Sequence, residues 1–198
     1  ADSVLTVGGT DPYQDFHINF SSFGPTADGR LKPNVVAPGR TMAASGPSGV
    51  KEVFGTSFST PLVAGFAACV WQKNRTMNNM QIFREIEKSG SLFPYFDYAH
   101  GYGIPQASYF TDAAPAIIEP TFDFVIVNDE MKVVLREKYA HVDDEKLLGY
   151  EIRRNFYVKT EGKDGRMKKY SVLLAEKKEV YDVSLSDFAP GDKITVHF

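Results

Sequence analysis

Near residue 113 the hydrophobic pattern of this chain changes its period, and that change limits the fold more than any other feature. Beyond it, apolar and polar residues alternate in short runs: "TFDFVIV", "MKVVLRE", "GYEIRRNFYVKT", "RMKKYSVLLAE", "VYDVSLSD" and "KITVHF". A period of two puts one face of each segment inward and the other outward, as half-buried strands require. Turn formers separate several runs: Asn128-Asp129, Gly162-Lys163-Asp164-Gly165 and Pro190-Gly191-Asp192. Six strands at this spacing predict an antiparallel β-sandwich over residues 121–198, joined to the first half by a proline-bounded linker at 113–120. The basic run "GKDGRMKK" reads as a solvated hairpin tip.

Residues 1–112 mix strand, loop and helix signals. "SVLTVGG" is a nearly continuous apolar run stopped by paired glycines, the pattern of a buried parallel strand. "SSFGPTADGRLKPNVVAPG" reads as loop and turn, and "TMAASGPSGVKEVFGTS" as a hairpin or surface excursion around Gly46-Pro47-Ser48-Gly49. A helix is predicted from Ser57 to Lys73, with Pro61 in its first turn, where the absent N–H costs nothing. Leu62, Val63, Phe66, Val70 and Trp71 surround that helix, so it is expected to be buried on every side, with Cys69 a small buried hydrophobe. A second, amphipathic helix over 78–88 starts with Asn78 and Gln81 at capping-box spacing and stops at Ser89-Gly90. The fold class is therefore α/β in the first half, followed by an all-β module.

The totals narrow the function. A net charge of −3 gives no electrostatic reason to expect nucleic acid or an anionic membrane as partner. No run reaches the roughly 18 apolar residues of a membrane span. One cysteine excludes an internal disulfide framework. No His/Cys/Asp/Glu spacing suggests a metal site. The opening "ADSVLTVGGTD" looks like the middle of a strand, which leads us to expect a fragment of a longer chain.

The stretch "FGTSFSTPLVAG" at 54–65 sets an isolated serine at the start of an apolar helix. A nucleophilic serine needs an exposed hydroxyl, a base within reach, and donors aimed at the developing oxyanion. A helix N-terminus supplies unpaired N–H groups and a favourable dipole, and Gly55 allows a substrate backbone to come close. The same residues admit a plainer reading, in which Ser57 or Ser59 is only an N-cap.

"GTSFSTPLVAG" resembles the nucleophile segment of the subtilase serine peptidases, whose usual form is Gly-Thr-Ser-Met-Ala-x-Pro-x-Val-Ala-Gly. "SVLTVGGTD", "FSSFGPTADGRLKPNVVAPG" and "GYGIPQA" resemble further family segments in the same order, so the likeness covers residues 1–110. It implies a subtilisin-like domain, here its C-terminal portion, with Ser57 as nucleophile and its N–H as one oxyanion donor. Gly55, Thr56 and Phe58 fall at substrate-lining positions, Phe58 where methionine is usual, on the leaving-group side. Asn34 replaces a frequent aspartate and reads as structural.

The family's catalytic Asp and His, and its oxyanion Asn, precede Ala1, and nothing here resembles their contexts. His17, His100, His141 and His197 are poor substitutes, and Asp143-Asp144 reads as a solvated turn. The resemblance thus implies a secreted or extracytoplasmic serine endopeptidase acting on proteins or peptides, with this chain inactive alone. No cofactor is expected; calcium, which many subtilases bind, would use segments upstream of Ala1. The alternative is a non-catalytic binding protein on a degenerate subtilase scaffold. An apolar helix with so few strands to cover it predicts self-association or pairing with the upstream part of the same domain. In the second half, "VSLSDFAPGDKITVHF" resembles a strand corner of a fibronectin type III-like domain whose last strand would lie beyond Phe198.

Overall fold

The computed structural model describes residues 2–111, 120–128, 130–137, 154–175 and 180–198. The chain divides into two compact units, Ala1–Pro115 and Ala116–Phe198. The segment expected to link them lies almost wholly outside the described residues, as do His141 and Asp143-Asp144.

In the first unit, β1 (Val7–Thr10) pairs in parallel with β2 (Val35–Pro38), from Val7 opposite Val35 to Thr10 opposite Pro38. The strand predicted from "SVLTVGG" thus starts later than its apolar run, and β2 lies in a stretch read as loop. Three consecutive apolar residues, Val35 to Ala37, are too short a run to signal a strand by periodicity, but all three are buried. β3 (Arg40–Ala44) and β4 (Val50–Phe54) form the expected hairpin, turning through a 3-10 segment at Gly46–Ser48.

α1 (Thr56–Lys73) and α2 (Asn79–Lys88) follow. The capping box on α2 is formed in both directions: Asn78 Oδ1 accepts the Gln81 N–H at 2.9 Å, and Gln81 Oε1 accepts the Asn78 N–H at 2.8 Å. Val35, Ala37, Val63, Val70, Ile82 and Ile86 make the core between β2 and the two helices.

α1 is not buried on every side. Val63 and Val70 face the core, whereas Leu62 is 51% exposed, Trp71 48% exposed, and Cys69 is exposed between them. Among the described residues β1, β2, β3 and α2 pack on α1, and Phe110 meets Phe66 at 5.8 Å, while Leu62, Cys69 and Trp71 stay exposed. The all-round apolar pattern did not distinguish the side of the helix that the described residues cover from the side they leave exposed. Pro61 is also deeper than expected. With α1 beginning at Thr56, Pro61 is its sixth residue, and its missing N–H withholds the usual helical bond from the Ser57 carbonyl.

The segment after α2 closes the unit. Tyr102 N–H donates to Asn34 O at 2.8 Å and Val36 N–H donates to Gly103 O at 3.1 Å, so the "GYG" strip runs beside β2. Gly101 sits at φ 60°, and a Cβ there would lie 2.4 Å from the Asn34 carbonyl oxygen. Only glycine fits.

The second unit contains β5 (Phe122–Val127), β6 (Glu130–Leu135), β7 (Asn155–Glu161), β8 (Met167–Leu174), β9 (Val180–Val183) and β10 (Lys193–His197). They form two antiparallel three-stranded sheets, ordered β5-β6-β9 and β10-β7-β8. Val133 and Leu135 of the first and Phe156 and Val158 of the second share one apolar cluster. On β6 the alternation is realised, with Met131, Val133 and Leu135 inward. On β5 it is not: Phe124 to Val127 are all exposed, and among the described strands β5 bonds β6 alone.

Candidate active site

Ser57 is the second residue of α1, and it is exposed. A second helical residue has no acceptor for its N–H within the helix, so the Ser57 N–H stays available. Its Oγ makes no hydrogen bond among the described residues. The N-cap is Gly55, with no side-chain cap. Ser59 is fully buried, and its hydroxyl donates to Pro38 O at 3.2 Å, tying the helix start to the end of β2. Neither serine is a cap. Thr56 O accepts instead from the Thr60 hydroxyl, at 3.0 Å.

The approach to Ser57 is set by Gly55, at φ 144° and ψ 150°. That corner of conformational space is essentially closed to residues with a side chain. A Cβ there would stand 3.7 Å from Ser57 N and 3.8 Å from a Phe58 ring carbon, so the constraint is the backbone conformation and not a clash. The Gly55 N–H is fixed by donation to Gly39 O at 2.8 Å, and the Gly39 N–H in turn donates to Thr10 O at 2.8 Å. Gly55 is therefore linked through Gly39 to the end of β1. Phe58, half-buried, contacts Gly55 through its N–H, 2.9 Å from Gly55 O. A cavity of about 350 Å³ opens beside Thr56, lined by Gly8, Ser21, Phe23, Pro25 and Lys32 among others.

Among the described residues no side chain bonds the serine hydroxyl. Among the described residues Ser57 has no histidine partner. His100 is buried and directed at Asp97, with Nδ1 3.1 Å from a carboxylate oxygen; the other Asp97 oxygen accepts the N–H groups of Ala99 and His100 at 2.7 Å. His17 stacks on Phe23 at 4.2 Å and meets His100 edge-on at 5.9 Å. Burial first, and then the neighbouring His100, push the His17 imidazole down to about 4. It stays neutral at ordinary pH as a packed core ring.

Asn34, read from sequence only as structural, proves to be a junction. Its Oδ1 accepts the Thr6 N–H at 2.8 Å and the Lys32 ammonium at 2.6 Å, while its Nδ2 donates to Glu87 at 2.7 Å. Sequence reading gave no hint of Arg40, which carries a buried charge at the base of the hairpin. A strand-opening arginine has no distinctive spacing; only its surroundings reveal it. Near the loop 26–30, the Asp28 carboxyl is held down at about 2, chiefly by hydrogen bonds from Thr26 and Arg30. Arg30 also bonds Asp2, at 3.1 Å.

Along part of its length the chain is similar to several known proteins. The chain is 38% identical over 80 residues to pyrolysin of Pyrococcus furiosus, covering 37% of this chain and 6% of that protein. It is 30% identical over 112 residues to serine protease AprX of Bacillus subtilis, covering 46% and 25%. It is 41% identical over 58 residues to C5a peptidase of Streptococcus pyogenes, covering 29% and 5%. Across these three the matched stretch spans at most a quarter of the relative's length. The sequence model of the Subtilase family matches residues 1–103, the span that holds both helices, the glycine-guarded serine and the closing strip. By that match the chain belongs to the subtilase family.

Proposed function

We propose that this chain is the C-terminal part of a subtilisin-like serine endopeptidase that cleaves peptide bonds through an acyl-enzyme on Ser57. Ser57 Oγ attacks the scissile carbonyl, and its N–H stabilises the oxyanion that develops. The base histidine, the aspartate that orients it and the second oxyanion donor, an asparagine, come from an upstream part of the same protein. The observation that carries this reading is the exposed serine near the start of α1, its Oγ without a hydrogen bond among the described residues, following a glycine whose backbone conformation is closed to other residues. Gly55, Thr56 and Phe58 line the substrate, with Phe58 on the leaving-group side.

The chain alone has no triad activity, because a triad loses nearly all of its effect when any member is missing. Its partner is the upstream part of the domain. The exposed face of α1, with Leu62 and Trp71 about half in solvent, supports that assignment. Residues 1–112 form the catalytic portion, and 121–198 a fibronectin type III-like β-sandwich; two three-stranded sheets around a common cluster support the latter. The parent acts outside the cytoplasm on protein or peptide substrates.

The test is labelling with a fluorophosphonate. Full-length protein should be labelled at Ser57 and lose both label and peptidase activity as Ser57→Ala, while the 198-residue chain stays unlabelled. Full-length Ser57→Ala that cleaves peptides at the wild-type rate would sink the assignment and leave a non-catalytic scaffold for the serine.

A further inference from the structure

The hairpin that leads into Ser57 is unusually bare. Of the ten residues in β3 and β4, Arg40 alone is buried, at 7% exposure, while Met42 near the tip is 61% exposed. An apolar residue would be the ordinary anchor for a protruding hairpin, because a buried guanidinium is costly unless fully partnered. Here it is partnered on three sides. Its Nε donates to Glu52 on β4. Its guanidinium carbon lies 5.6 Å from the centre of the Tyr13 ring and 5.8 Å from that of Phe54.

These contacts converge on one place. Arg40 stands directly opposite Phe54 in the hairpin register. Phe54 ends β4, Gly55 follows it, and Ser57 is three residues on. The residue before Arg40, Gly39, accepts the Gly55 N–H. Backbone and side chain of the Gly39-Arg40 pair therefore grip the same junction, one through Gly55 and the other through Phe54 and Glu52. Tyr13 belongs to a turn held by Asp11, whose carboxylate accepts the N–H groups of Tyr13 and Gln14 at 2.9 and 3.1 Å. The end of β4 is thereby tied to the loop after β1.

We propose that Arg40, clamped between Tyr13, Phe54 and Glu52, is a positioning residue that sets the attack geometry of Ser57. This rests on Ser57 being the nucleophile. A planar fork that stacks and pairs at once fixes both the displacement and the twist of the strand end, which a lysine ammonium does not. Misplacing a reacting atom by about 1 Å costs up to about 100-fold in rate.

The experiment uses full-length enzyme, reading kcat and KM on a peptide ester and the rate of fluorophosphonate labelling. Arg40→Lys, which keeps the charge but not the fork, should lower kcat and the labelling rate by about tenfold, with KM within about twofold of wild type. Tyr13→Leu, at an exposed position that tolerates change, should lower both by a smaller factor. Should Arg40→Ala fail to fold, these two variants still decide. Wild-type kcat and labelling rate in Arg40→Lys, even with a lowered melting temperature, overturn the proposal and leave Arg40 as a hairpin anchor. A raised KM at unchanged kcat overturns it equally. Absence of label on wild-type Ser57 is a different result, since it removes the nucleophile itself.

Discussion

Replacing Gly55 by alanine isolates the backbone contribution at the serine. At φ 144° and ψ 150° an alanine is strained by about 1–3 kcal/mol. The added methyl meets nothing closer than 3.7 Å, so no clash adds to that strain. The substitution also stiffens the unfolded chain, which returns about 0.4–1 kcal/mol. The net loss is on the order of 1–2 kcal/mol, or about 5–10 °C in melting temperature for a unit of this size. Gly65→Ala is the matched control: it lies within α1, a Cβ there meets nothing within 4 Å, and helix propensity predicts a gain of about 0.5–1 kcal/mol. Thermal unfolding of the 198-residue chain, followed by circular dichroism, should therefore move in opposite directions for the two variants. On the proposed mechanism, Gly55→Ala in the full-length protein should also slow labelling of Ser57, because relief of the strained backbone at residue 55 would shift the serine two residues on. A Gly55→Ala chain melting at or above wild type would refute the backbone geometry on which the open approach depends.

Three further outcomes are expected. His17 is depressed to about 4 in the folded state against an unfolded value near 6.5, so its contribution is complete above about pH 6.5 and is lost as pH falls toward 4. Denaturant midpoints between pH 7 and 4 should fall less steeply in His17→Gln. Asn34→Asp should destabilise by about 1–2 kcal/mol at neutral pH, since it turns the 2.7 Å bond to Glu87 into a contact between carboxylates; Glu87→Gln in the same chain should restore most of the loss in a double-mutant cycle. Leu62→Gln with Trp71→Glu should reduce self-association of the 198-residue chain in sedimentation at little change in its stability, while destabilising the full-length protein.

Much of this molecule was legible from short-range pattern. The capping box on α2, the hairpin around Gly46-Pro47 and the inward Met131, Val133 and Leu135 all arise from contacts within a few residues or one strand period. What escaped depends on partners distant in sequence. β2 is a strand because β1 lies alongside it, a fact its three apolar residues cannot announce. Asn34 gains its meaning from Glu87, 53 residues away. The burial expected of Cys69 failed for the opposite reason: an apolar pattern describes a helix's requirements, and among the described residues none covers it. The motif around Ser57 singles it out in the sequence, whereas Arg40, equally close to the junction, has no motif and stands out only once Tyr13, Phe54 and Glu52 surround it.

The outward-facing Cys69 turns that bare helix flank into a built-in gauge. It is the chain's single thiol, so a maleimide or Ellman's reagent reads one position without ambiguity. Modification should be fast in the isolated chain and suppressed wherever something seats against the helix. On the proposed reading, titrating candidate upstream segments against that reaction rate would follow their docking on α1 in real time, without any substrate.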